Sequence, residues 1–137
     1  MTSLLTPVLA LIIWSLIVFV WMYVTRIPAI QAAKIDPAHA QHPGSLDALP
    51  SRVRAIADNY NHLMEQPTIF YAMVFYIVLA GHTDQIHIWC AWAYVALRII
   101  HSLIQNTVNV VIVRFSVFSI STIALAVMAI REVIALL

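Results

Sequence analysis

Arg54, Asp58, Asn61 and Glu65 follow one another at spacings of four, three and four residues, and Tyr94, Arg98, His101 and Gln105 repeat that rhythm. Such spacing places each set on one face of an α-helix. Arg26 and Arg114 add guanidinium groups beside other apolar runs. Brought together, Arg26, Arg54, Arg98 and Arg114 outnumber Asp58 and Glu65, describing a net-positive cavity for an anionic ligand with a cationic group that Glu65 can hold. An amino-acid-like or peptide-like anion carries that charge pattern. A plainer arrangement is also open, in which Glu65 pairs with Arg98 and Asp58 with Arg54, fixing helix register without a ligand. It would leave Arg114, Asn61 and His101 in need of partners.

Other chemistries fit these residues less well. His62 and His101 offer only one facing pair for a haem, and nearby arginines and a glutamate make that place strongly polar. His39 and His42, and His82, Asp84 and His87, form no compact ligand set, so solvated side chains and no metal are expected. Cys90 is the one cysteine, which excludes a disulfide framework and any multi-cysteine metal site. Trp14, Trp21, Trp89 and Trp92, with Tyr23, suit the membrane interface or lipid-facing packing. A net charge of +1 without a basic stripe excludes nucleic acid as a partner.

The elements that position the polar faces follow from composition. Of 137 residues 63% are hydrophobic and 9% charged, and the mean hydropathy is +0.92. A soluble domain carries about 25% charged residues, so the apolar excess must face lipid or partner subunits. A crossing helix needs about 20 mostly apolar residues. Spans are therefore expected at about 4–25, 56–80, 86–105 and 110–131, with a proline-rich extramembrane loop at about 26–54. The second can cross only by carrying Asn61, His62 and Glu65 in or near the membrane. Continuous apolar runs without alternation exclude a barrel. The expected fold is a single all-α membrane domain, an antiparallel bundle of four transmembrane helices. Arg26, Lys34, Arg52, Arg54, Arg98 and Arg114 would share one side and Arg131 the other, placing the long loop in the cytoplasm and both termini outside.

The stretch Ala57-Asp58-Asn59-Tyr60-Asn61-His62-Leu63-Met64-Glu65-Gln66-Pro67-Thr68, with Arg98-Ile99-Ile100-His101 and Arg114, resembles the signature of the MAPEG family, the membrane-associated proteins in eicosanoid and glutathione metabolism. With the four spans and long first loop, the resemblance covers essentially the whole chain. It implies a homotrimer with glutathione as co-substrate bound between adjacent subunits and open to the cytoplasm, and the expected location is a bacterial inner membrane. By position it implies that Arg26 holds a glutathione carboxylate and that Asn61 and Glu65 bind its backbone and amino group. Arg114 would stabilise the thiolate, and Arg54, His62, Arg98, His101 and Gln105 complete the candidate ligand-binding set.

The function so implied is a glutathione-dependent transferase or peroxidase acting on hydrophobic electrophiles that partition from the lipid. The alternative is a non-catalytic lipid-binding module or an accessory subunit of a larger membrane complex. Gln105 stands where the family usually has a tyrosine, which favours that alternative.

Overall fold

Four stretches of the chain are long and apolar enough to cross a membrane: Leu4–Ala32, Ser51–Ala80, Gln85–Asn106 and Val111–Leu136. Hydrocarbon offers the backbone no hydrogen-bonding partner, so each stretch satisfies its own amides by coiling into helix. The computed structural model describes residues 2–32 and 50–137 and is all-helical there. The elements are α1 (Thr2–Ala32), α2 (Ser51–Leu63), α3 (Gln66–Ala80), α4 (Gln85–Asn106) and α5 (Val111–Leu136). Lys34, His39 and His42 of the long loop lie outside the described residues.

The helices overrun several boundaries read from the sequence, α2 starting at Ser51 instead of 56 and α5 running to Leu136 instead of 131, and two further differences have a visible setting. First, α1 runs through Arg26 and Pro28 to Ala32 instead of stopping near residue 25. A proline forfeits its own N–H and the bond to the carbonyl four residues back, and here one such loss does not end the helix. Second, the expected single span 56–80 is two helices, α2 and α3, broken at Met64 and Glu65. Pro67 is the physical reason. It has no N–H for the Leu63 carbonyl, so α2 ends at Leu63 and α3 restarts with Pro67 in its first turn, where the missing donor costs nothing.

Tight turns set the antiparallel order. Gly81, at a left-handed φ of 75°, closes α3, with the His82 amide donating back to the Ile77 carbonyl at 3.0 Å. Asp84 then caps α4, its Oδ1 accepting the His87 amide at 2.9 Å. The buried face of α1 is a narrow stripe of Leu4, Val8, Leu11, Ser15, Val18 and Met22, at alternating spacings of four and three. It packs against α2 and α4, and α5 lies chiefly on α4. Phe70, Val74, Ile77, Ala91, Tyr94, Val95, Leu125 and Met128 fill the middle of the bundle, where Phe70 stacks on Tyr94 at 4.5 Å. Outside this core the apolar residues stay uncovered, Leu79 at 88% and Ile112 at 79% exposed, as expected of surfaces facing lipid or further subunits.

Candidate functional site

The break between α2 and α3 shapes a cavity at the end of the bundle where α4 finishes and α5 begins. Its volume is about 610 Å³. Asp58, Asn61, His62 and Glu65 line it from the α2–α3 side, His101 and Gln105 from α4, and Val111, Arg114, Phe115 and Phe118 from α5. Glu65 sits in the break itself, and its carbonyl accepts both the amide and the hydroxyl of Thr68, at 3.2 and 2.6 Å. These contacts secure the first turn of α3 beside the cavity.

Six of the nine candidate residues therefore meet: Arg114, Asn61, His62, Glu65, His101 and Gln105. The other three do not line the cavity. Arg26 is half-buried on α1, Arg54 is exposed near the start of α2, and Arg98 is completely buried behind the wall. No Glu65–Arg98 ion pair forms among the described residues, so that half of the pairing open in the sequence is not adopted. Instead Arg98 Nη2 lies 3.0 Å from His62 Nδ1, and its guanidinium sits 5.5 Å from the Phe118 ring centre.

Arg114 is held from its own helix start. Its Nη1 donates to Oδ1 of Asn109 at 2.6 Å, and Asn109 adopts a left-handed φ of 49° to present that oxygen. Behind the cavity floor, Tyr94 donates to Gln66 at 3.0 Å and Gln66 to Thr122 at 3.0 Å, tying α3, α4 and α5 together. Ser102 likewise donates to Asn59 at 3.1 Å and joins α4 to α2.

Phe118, Asn109 and Gln66 are contributors that the sequence reading passed over. Phe118 had a usable signal, since it stands four residues after Arg114 and must share its helix face. Asn109 had a weaker one, as an asparagine at a helix junction tolerates the left-handed region.

A second polar cluster occupies the opposite end of the bundle. Glu132, 4% exposed, takes His82 Nδ1 at 2.6 Å on one oxygen and His87 Nε2 at 2.9 Å on the other. The expectation of solvated histidines is thus corrected for His87, which is only 2% exposed, while His82 and Asp84 stay open to the surface though each is engaged. The missed partner was Glu132, which continues the buried face Ser121, Leu125 and Met128 of α5. At the rim Arg131 makes a two-pronged pair with Asp84, at 2.9 and 2.7 Å. That guanidinium, with the His87 amide, holds the Asp84 carboxyl well below the usual carboxylate range.

A polar, arginine-bearing cavity at one end of a four-span bundle, walled on one helix by aromatic and aliphatic side chains, belongs to an integral multi-pass membrane protein. The chain belongs to the MAPEG family, whose profile matches residues 4–134. No curated protein and no solved structure matches it. At the level of the family, membership supports an integral multi-pass membrane protein with a role in glutathione-related transfer or reduction, or in eicosanoid metabolism.

Proposed function

We propose that the cavity binds glutathione and that the protein is a glutathione-dependent transferase or peroxidase acting on hydrophobic electrophiles. The observation that carries this reading is Arg114, fixed by Asn109 in the wall of a cavity that otherwise offers amide, imidazole and carboxylate groups. A thiolate is the competent nucleophile, and a guanidinium held beside a bound thiol favours the ionised sulfur. Glu65 and Asp58 suit the ligand's ammonium group, while Asn61, Gln105 and the two imidazoles suit its peptide groups and carboxylates. Val111, Phe115 and Phe118 supply an apolar wall, and Phe115 and Val111 are 67% and 61% exposed, so a hydrophobic co-substrate has a route from the lipid side.

In this reading the chain acts as a homotrimer in a bacterial inner membrane, with the cavity on the cytoplasmic side and both termini outside. Arg26, which does not line the cavity within one chain, would meet a glutathione carboxylate at the boundary between adjacent copies, where Arg54 and buried Arg98 would support the positive field. No metal takes part. The reaction divides simply: the protein binds the thiol, holds its sulfur ionised beside Arg114, and admits the electrophile against the α5 wall.

A second reading has its own support. The described lining residues include no hydroxyl, Gln105 standing where the family usually has a tyrosine. A lipid-presenting module or an accessory subunit would need no such group. The deciding experiment is an ultraviolet difference spectrum of the detergent-solubilised protein titrated with glutathione, with Arg114→Ala as the comparison. A thiolate band in the wild type that disappears in the variant is expected. No band at saturating glutathione would overturn the enzymatic reading and favour the module.

A further inference from the structure

Arg98 is the largest side chain fully sealed inside the protein, and no carboxylate pairs with it among the described residues. Among the described residues its Nε and Nη1 have no hydrogen-bond partner, and its one polar contact with another side chain is Nη2 to His62 Nδ1 at 3.0 Å. A guanidinium owns five N–H donors and no acceptor. In this pair Arg98 must donate and Nδ1 of His62 must accept with its lone pair. An imidazole whose Nδ1 lone pair is so engaged carries its hydrogen on Nε2.

The His62 ring is also hemmed in. His101 lies against it at 5.2 Å between ring centres and Phe118 at 5.1 Å, while the Phe118 ring in turn faces the Arg98 guanidinium. Turning the imidazole over would point an N–H or C–H at a cation that can only donate. His62 is half-buried in the cavity wall, and its Nε2 has no partner among the described residues and is not sealed from the surface.

We infer that Arg98 is a positioning residue that fixes His62 as the Nε2–H tautomer, making His62 a hydrogen-bond donor toward an acceptor atom of the ligand in the cavity. Only the identity of that ligand rests on the glutathione reading. The arrangement discriminates by chemistry: a carboxylate, carbonyl or thiolate acceptor meets a preset donor, whereas an ammonium or amide N–H in the same place opposes another donor. Lysine in place of Arg98 would keep the charge but lose the planar fork that holds both ring and tautomer.

The experiment uses the full-length protein in nanodiscs with nitrogen-15-labelled histidine, the His62 signals being assigned by their loss in His62→Gln. Imidazole nitrogen shifts separate bare from protonated nitrogens. The wild type without ligand is expected to show a single His62 tautomer with a bare Nδ1 and a protonated Nε2, and Arg98→Met a mixture of tautomers. Should Arg98→Met fail to fold, the wild-type spectrum decides alone. With glutathione as the probe, His62→Gln, which keeps an N–H near the Nε2 position, should bind within about threefold of the wild type. His62→Phe should bind about tenfold more weakly, the size of one lost hydrogen bond. A protonated Nδ1 in the wild type, or glutathione affinity unchanged in His62→Phe, would overturn the inference. An Nε2–H spectrum in a protein with no affinity for glutathione would support the role of Arg98 and overturn the glutathione reading, so the two fail separately.

Discussion

Asn109 and Arg114 are bound to each other across the start of α5, Nη1 to Oδ1 at 2.6 Å, and Asn109 is the one non-glycine residue with positive φ among the described residues. The left-handed backbone costs an ordinary residue about 1–2 kcal/mol, and asparagine tolerates it better than most. The turn between α4 and α5 is thus built around the residue that aims the guanidinium. Asn109→Gly keeps the backbone geometry and removes the carboxamide. It is expected to weaken the glutathione thiolate band several-fold while shifting the melting midpoint by no more than a few degrees. Asn109→Ala should show both the weaker band and a lower midpoint, which a pair of thermal melts in detergent resolves.

Pro67 is predicted to maintain the break that admits Glu65 to the cavity. Pro67→Ala restores an N–H within reach of the Leu63 carbonyl, favouring one continuous helix through α2 and α3. The expected result is equal or higher thermal stability together with about tenfold weaker glutathione binding, read by titration calorimetry. Unchanged affinity would show that the break does not position Glu65.

Glu132 should matter to stability and little to the cavity. Glu132→Ala strips the partner from His87, a ring only 2% exposed, and from His82. Leaving a buried donor unsatisfied costs about 1–3 kcal/mol, so a clear drop in the melting midpoint is expected. The thiolate band should persist, because the cluster lies at the other end of the bundle from Arg114.

Acid should loosen the turn between α3 and α4. Arg131 holds the Asp84 carboxyl below its ordinary range, so the folded state binds that proton more weakly than the unfolded state does. The sign follows: this contribution is complete above the unfolded carboxyl value near 3.9 and is lost as the pH falls below it. Asp84→Asn should flatten the part of the stability-against-pH curve below about pH 4 that the wild type shows.

The bundle was legible because its signals are strong and local. Long apolar runs, Gly81 in its turn and the four-three-four rhythm of Tyr94, Arg98, His101 and Gln105 all survive in the structure as helices with a shared polar face. Arg98 shows where such reading stops. Its spacing placed it on the correct face, but whether a side chain ends in the cavity or behind its wall depends on how far neighbouring helices approach, and Phe118 and His62 close over it. Glu132 shows a different limit. A carboxylate near a chain end reads as an exit marker, and only the fold reveals that two histidines from a distant turn converge on it.

The layers along the bundle have one more consequence. Between the cavity and the His82–Glu132–His87 cluster, α3, α4 and α5 place Phe70, Val74, Ile77, Ala91, Val95, Leu125 and Met128, all apolar and buried. That slab works as an electrical insulator between two polar poles. These side chains therefore offer no hydrogen-bonded path from one pole to the other.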